Sequence, residues 1–192
     1  MRGGIGVAGL RKGRSSRVAG LSVGWVRSLA LTLLTLAATA TAGHAQTVIY
    51  LVRHAEPSMT ETQDPHLNLA GRERAHALVH VLAQAGITKI MSSDYNRTKG
   101  TVGPLAEALG LPVEIYDPRA LPSFAEQLKR MTGRIVVAGH SNTTPDLVRL
   151  LGGDPGTPIN ENYEFDRLYQ VVIGKDGTVT STRLRYGPIS GS

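Results

Sequence analysis

From Thr47 onward the chain alternates short apolar runs with stretches whose apolar residues recur at helical spacing. The first run, Val48-Ile49-Tyr50-Leu51-Val52, has no polar interruption, as expected of a strand covered on both faces, so Thr47–Val52 is predicted to lie inside a sheet. Between Leu69 and Ala85, Ala75, Leu78, Val79 and Leu82 fall on one helical face while Arg72, His76, His80 and Gln84 share the other. Asn68 is the expected N-cap of that helix. Ile87–Met91 reads as a strand, Asn96–Leu109 as a helix and Val113–Tyr116 as a third strand. Ser123 and Glu126 match a capping box, which predicts a helix over Phe124–Met131. Arg134–Ala138 is another apolar strand, and Thr144-Pro145 supplies a cap followed by proline at the first helical position. Tyr169–Ile173 and Thr178–Tyr186 flank a Gly-containing connection, Gly174–Gly177, that suits an edge hairpin. The alternation predicts a single α/β domain over residues 46–192: a three-layer sandwich whose mostly parallel central sheet is flanked by helices and finished by an antiparallel hairpin.

The first 45 residues follow a different pattern. A basic stretch precedes the Thr-diluted apolar run Leu29–Ala42, which ends in Gly43-His44-Ala45, the layout of a secretory signal peptide with an extended basic region and cleavage after Ala45. A spanning helix takes about 20 predominantly apolar residues, so export to the periplasm or beyond, without stable membrane insertion after cleavage, is the expected outcome. The net charge of +6 also changes meaning here, because six of the 21 basic residues and none of the 15 acidic ones precede residue 46. The remainder is formally neutral and makes no electrostatic case for nucleic acid. The absence of cysteine suits an oxidising compartment and excludes thiolate nucleophiles and thiolate metal sites.

Two apolar strands run directly into a histidine, in Leu51-Val52-Arg53-His54-Ala55-Glu56-Pro57 and in Val137-Ala138-Gly139-His140-Ser141-Asn142. Ligands of open α/β sheets collect at the carboxyl ends of strands. A third polar group, Ser92–Thr98, sets Arg97 near a helix start at the same rim. In these residues the chain resembles the histidine phosphatase superfamily, which includes cofactor-dependent phosphoglycerate mutases and many small phosphatases. Four motifs occur in the family's order: Arg53-His54, a Leu-x-x-x-Gly helix start at Leu67–Gly71, a Ser-Ser-x-x-x-Arg segment at Ser92–Arg97, and Gly139-His140. The resemblance covers nearly all of residues 47–173, and departs from the usual pattern in having Ala55 where glycine follows the first histidine.

The resemblance implies that neutral His54 attacks phosphorus and forms a phosphohistidine that water then hydrolyses. Arg53 and Arg97 would hold the non-bridging oxygens in place of a metal or other cofactor, and their charge disfavours protonation of His54. His140 would donate to the transferring group, with Asn142 and free amides near the Thr144 helix start as further donors. The leaving oxygen needs a proton, for which Asp117 in Tyr116-Asp117-Pro118-Arg119 is the first candidate and Glu56 the second. The expected function is an exported, metal-independent phosphatase acting on a small phosphomonoester. Two alternatives stand beside it: a non-catalytic envelope protein that binds a phosphate ligand, and a phosphoramidate or phosphohistidine phosphatase that lacks a general acid. The leader disfavours a cytosolic mutase.

Other residues read as ordinary surface. His76 and His80 have the spacing of a metal pair but lie opposite the apolar stripe, His66 belongs to a polar loop, and Asp94 suits a helix start. Glu161, Glu164, Asp166 and Arg167 precede the hairpin and are left outside the site. Substrate specificity is expected in Pro57–Leu67, Asp117–Pro122 and Gly152–Asn162.

Overall fold

A computed structural model describes residues 46–61 and 63–190. The leader expected over residues 1–45 lies outside them. Among the described residues no helix is long and apolar enough to cross a membrane.

Six strands, β1 (Thr47–Arg53), β2 (Lys89–Ser93), β3 (Val113–Tyr116), β4 (Gly133–Gly139), β5 (Arg167–Ile173) and β6 (Val179–Arg185), form one sheet in the order β3-β2-β4-β1-β5-β6. The first four are mutually parallel, whereas β5 runs antiparallel to β1 and β6 antiparallel to β5. All seven residues of β1 are buried, which agrees with its unbroken apolar run and its interior position.

Alternation along the strands sorts the core into two layers. Ile49, Leu51, Ile135 and Val137 pack with Phe124 and Leu128 of α3 (Leu121–Arg130) and Leu147 and Val148 of α4 (Thr143–Leu150). Val48, Tyr50, Val52, Val136 and Ala138 pack on the other face with Leu78 and Leu82 of α1 (Leu69–Leu82) and Val102 and Leu105 of α2 (Asn96–Leu109). The three-layer α/β sandwich is therefore the observed architecture.

Asn68 caps α1, its Oδ1 accepting from the Gly71 amide at 2.9 Å. Two helix starts differ from expectation. Helix α3 begins at Leu121 with Pro122 in its first turn, so Ser123 lies inside the helix and its hydroxyl donates back to the Ala120 carbonyl rather than forming a capping box with Glu126. Helix α4 begins at Thr143 with Asn142 at the cap, and the Thr144 hydroxyl donates across to the Val52 carbonyl of β1. In both places backbone geometry favoured an earlier start than the side-chain signal marked. Strand β2 starts two residues later than expected, at Lys89.

The glycine of the Leu67–Gly71 motif has a packing reason. A Cβ on buried Gly71 would stand 2.2 Å from the Glu56 carbonyl oxygen, so only glycine lets α1 lie against the backbone that leaves β1. Gly71→Ala must push α1 off that segment; unfolding in denaturant is expected to report a loss of about 1–3 kcal/mol, and an unchanged midpoint would contradict this contact.

Candidate active site

Strands β1 and β4 stay in register to their last residues, with Arg53 opposite Gly139, and the His54 amide donates to the Gly139 carbonyl at 2.8 Å. His54 and His140 therefore leave adjacent parallel strands together, their rings edge-on with centroids 5.5 Å apart. Strand β2 ends at the same rim and sets the Ser93 hydroxyl 3.0 Å from His140 Nε2, while the first turn of α2 carries Arg97. His54, Arg97 and His140 line one cavity of about 450 Å³, together with Tyr95, Pro118, Arg119, Ser141, Asn142, Thr143 and Glu161.

His54 is buried, and its Nδ1 lies 2.9 Å from the Ala55 carbonyl. A carbonyl only accepts, so in the neutral ring Nδ1 carries the proton and Nε2 keeps the lone pair. The pKa of His54 is pushed down to about 3, first by burial and further by Arg53, Arg97 and His140, against the opposing Ala55 hydrogen bond. Burial thus outweighs the cationic neighbours from which the sequence argument started. The Ala55 methyl packs with Leu67 and Ala75, and its amide donates to Thr101 Oγ1, which itself donates to the Arg97 carbonyl. Alanine is accommodated here because its side chain joins a small apolar cluster.

Arg97 lies over the Tyr95 ring at 4.6 Å and pairs with Asp64 at 3.5 Å. Both Asp64 carboxylate oxygens accept from the Asn96 amide at the start of α2, at 3.0 Å each. This is the helix-start role expected of Asp94, which instead pairs with Lys99 at 2.7 Å. A carboxylate reaching over from the preceding loop meets the positive helix end and steadies Arg97 in one contact. His140 stands edge-on to Tyr95 at 5.0 Å, and its pKa is pushed down to about 4, by burial first and then by Arg97 and Arg53, with Asp64 opposing.

Arg53 is not the open clamp that the resemblance implied. It is 3% exposed and does not line the cavity. Its Nη1 donates to the carbonyls of Asn160 (3.1 Å) and Glu164 (2.9 Å), its Nη2 to that of Glu161 (2.6 Å), and the guanidinium lies 4.0 Å from the Phe165 ring centre. Nε is buried and has no acceptor among the described residues. Burial lowers the pKa of Arg53 to about 10, which still leaves it a cation at neutral pH.

Neither carboxyl expected as the acid stands at this cavity. Asp117 accepts from the Arg119 amide, Nε and Nη2 at 2.9, 3.0 and 3.1 Å, and these bonds hold its pKa below the usual carboxylate range. It borders a neighbouring cavity with Ile115 and Tyr116, and from its segment Pro118 and Arg119 reach the His54 cavity instead. Glu56 is held by Arg74 through three hydrogen bonds of 2.7 to 3.0 Å, and Arg74 also donates to the carbonyls of Tyr186 and Pro188, so this pair fastens the C-terminal segment to α1. The Thr144 amide donates to the His140 carbonyl and is not a free donor, whereas Asn142 makes no cap hydrogen bond and lines the cavity. His66 pairs with Glu61, and His76 and His80 are exposed.

Sequence reasoning missed Asp64, Tyr95, Arg119, Glu161 and Phe165. Tyr95 lies inside a motif that it used, between Ser93 and Arg97. Glu161 and Phe165 come to the rim because β5 pairs antiparallel with β1 and so presents its amino end there, a pairing that no local signal announces.

Both cavity histidines are neutral wherever the pH lies well above about 4. Nitrogen NMR of the protein is therefore expected to show His54 and His140 neutral from about pH 5 to 8, with His54 protonated on Nδ1 alone; a titration midpoint near 6.5 in either ring would contradict the burial argument. The lowered His54 pKa also ties folding to pH. Below the ordinary value of 6.5 the unfolded chain takes up a proton that the folded one refuses, so this contribution to stability is lost as pH falls from 6.5 toward about 3.

Residues 49–119 match the family model of the histidine phosphatase superfamily, branch 1. A protein of Yersinia enterocolitica named probable phosphoglycerate mutase GpmB is 35% identical over 77 residues, covering 37% of this chain and 35% of the relative; a Serratia proteamaculans protein of the same name matches to the same extent. The match thus spans about a third of the length of these curated relatives. Among solved structures, the protein histidine phosphatase SixA in complex with tungstate aligns with a TM-score of 0.58 at 17% identity, over 72% of this chain and 96% of that one. A mycobacterial glucosyl-3-phosphoglycerate phosphatase aligns with a TM-score of 0.53 at 14% identity, over 73% of this chain and 98% of that one. The fold is thus shared along nearly the full length of these structures, and the segment that carries β1 and β2 with their motifs is similar to the histidine phosphatase superfamily.

Proposed function

We propose that this protein is an exported phosphatase that cleaves small phosphomonoesters through a phosphohistidine on His54. The observation that carries the reading is the unprotonated Nε2 of a buried histidine in the same cavity as Arg97 and His140. In the first step the Nε2 lone pair attacks phosphorus while the bond to the leaving oxygen breaks and that oxygen takes a proton. In the second, water attacks the phosphohistidine, the P–N bond breaks, and inorganic phosphate leaves. Arg97 holds the non-bridging oxygens with its planar fork, and the charge of Arg53 and Arg97 offsets what those oxygens gain in the transition state, so the reading requires no metal. His140 donates to the transferring phosphoryl group. Ser93, buried and within hydrogen-bond reach of Nε2, orients its ring. Export rests on the basic and apolar layout of residues 1–45.

A second reading, return of the phosphoryl group to another hydroxyl of the substrate, is favoured by the name of the curated relatives. The two share the phosphohistidine and differ in its fate, so they separate by whether phosphoglycerates are interconverted or inorganic phosphate is released.

Phosphate release from a panel of sugar phosphates, an acyl phosphate and a phosphoramidate tests the proposal. The wild type should turn over at least one class with chelator present. Arg97→Ala should lower kcat by about 10²- to 10³-fold, and His54→Ala should bring release to background. Undiminished release by the His54 variant would sink the proposal.

A further inference from the structure

We propose that Glu161 is the proton donor to the leaving oxygen, held at the cavity by Arg53, an assignment that rests on the phosphatase reading above.

Three other carboxyl groups near the site are engaged elsewhere. Asp117 is bound three times by Arg119, Glu56 is locked to Arg74, and Asp64 caps α2 while pairing with Arg97. A carboxyl so held gives up its hydrogen bonds only at a cost and is not free to turn toward a leaving group. Glu161 is placed differently. It is the carboxyl side chain that lines the cavity with His54, Arg97 and His140, and among the described residues no donor or cation binds its carboxylate.

Its position is nevertheless fixed through its backbone. The Glu161 carbonyl accepts from Arg53 Nη2 at 2.6 Å, and the carbonyls of Asn160 and Glu164, on either side of it, accept from Nη1. The turn is closed from within, because the Glu164 amide donates to the Asn160 carbonyl and the Asn160 amide to Glu164 Oε2, at 3.0 Å each. Glu164 is itself anchored by Arg167, whose Nε donates to Oε1 at 2.9 Å. Arg53 directly precedes His54 in the chain, so one guanidinium ties the turn that bears Glu161 to the nucleophile. The side chain at its tip keeps the freedom to meet a leaving group across the cavity. Arg53 and Glu164 are positioning residues in this account.

The step balances simply. The Glu161 carboxyl passes its proton to the leaving oxygen as the P–O bond breaks and His54 Nε2 bonds to phosphorus. The resulting carboxylate then accepts a proton from the water that attacks the phosphohistidine, which restores the acid.

Proton donation matters in proportion to how poor the leaving group is. Wild type, Glu161→Gln and Asp117→Asn should be compared, as full chains, on aryl phosphates of graded leaving-group basicity and on an alkyl phosphate. Glu161→Gln is expected to lose about 10²- to 10⁴-fold in kcat on the alkyl phosphate, to keep near wild-type turnover of dinitrophenyl phosphate, and to lose the basic limb of the pH profile. Glu161→Asp should recover part of the loss, and Asp117→Asn should follow wild type throughout. The retained turnover of dinitrophenyl phosphate doubles as the check that the variant folds. An equal loss on every substrate, or a leaving-group dependence that only Asp117→Asn steepens, overturns the assignment. A wild type that releases phosphate from none of the esters overturns the phosphatase reading along with it.

Discussion

The site depends on the parallel pairing of β1 with β4 to the final residue of each strand. Register places Arg53 opposite Gly139, and the hydrogen bond from the His54 amide to the Gly139 carbonyl extends that ladder by one step beyond the strand. Two histidines separated by 86 positions in sequence become neighbours at one sheet rim as a result. Because the period of a strand is two, a slip of one residue would turn His54 into the opposite layer and dissolve the arrangement. The apolar contents of the two strands make such a slip costly, since each face of β1 and β4 is packed under a different helix pair. Close approach also limits Gly139, where a Cβ would stand within about 3 Å of Thr144, Tyr116 and Thr143 side-chain oxygens.

That geometry has an electrostatic consequence. Gathering Arg53, Arg97 and two imidazoles at one rim, with both rings partly withdrawn from solvent, keeps the rings neutral and leaves the positive charge on the arginines. The burial of Arg53 divides the work between the two arginines. Arg97 faces the cavity, whereas Arg53 organises the turn at Asn160–Glu164 and lies against Phe165. The Glu56–Arg74 pair, two residues past His54, fixes the direction in which the chain leaves β1. A carboxylate beside the key histidine therefore serves the fold.

Much of this was legible in the sequence because it is encoded locally. The unbroken apolar run of β1, the helical stripe of α1 with its Asn68 cap, and the strand-to-histidine junctions each carry their own signal, and they specify three layers and the positions of His54, Arg97 and His140. The errors arose where partners come from afar. Asp94 looked like the cap of α2 because it is adjacent, but Asp64 reaches the same amide from a loop 32 residues upstream. Asp117 looked like the acid because its segment borders the site, but a local Arg119 pairing turns the carboxyl away and leaves the cation at the cavity. Glu161 was passed over because its place depends on β5 pairing antiparallel with β1 and on three carbonyls bound by one arginine.

The claim on which everything else rests is a covalent bond from phosphorus to His54 Nε2. Rapid acid-free quenching of the enzyme during turnover of a phosphorus-labelled ester, followed by peptide mapping, tests it directly. The account predicts a base-stable, acid-labile phosphoryl group on the peptide that contains His54 and on no other. Sustained turnover with no such adduct, or with the label on a hydroxyl or carboxylate side chain, would contradict it.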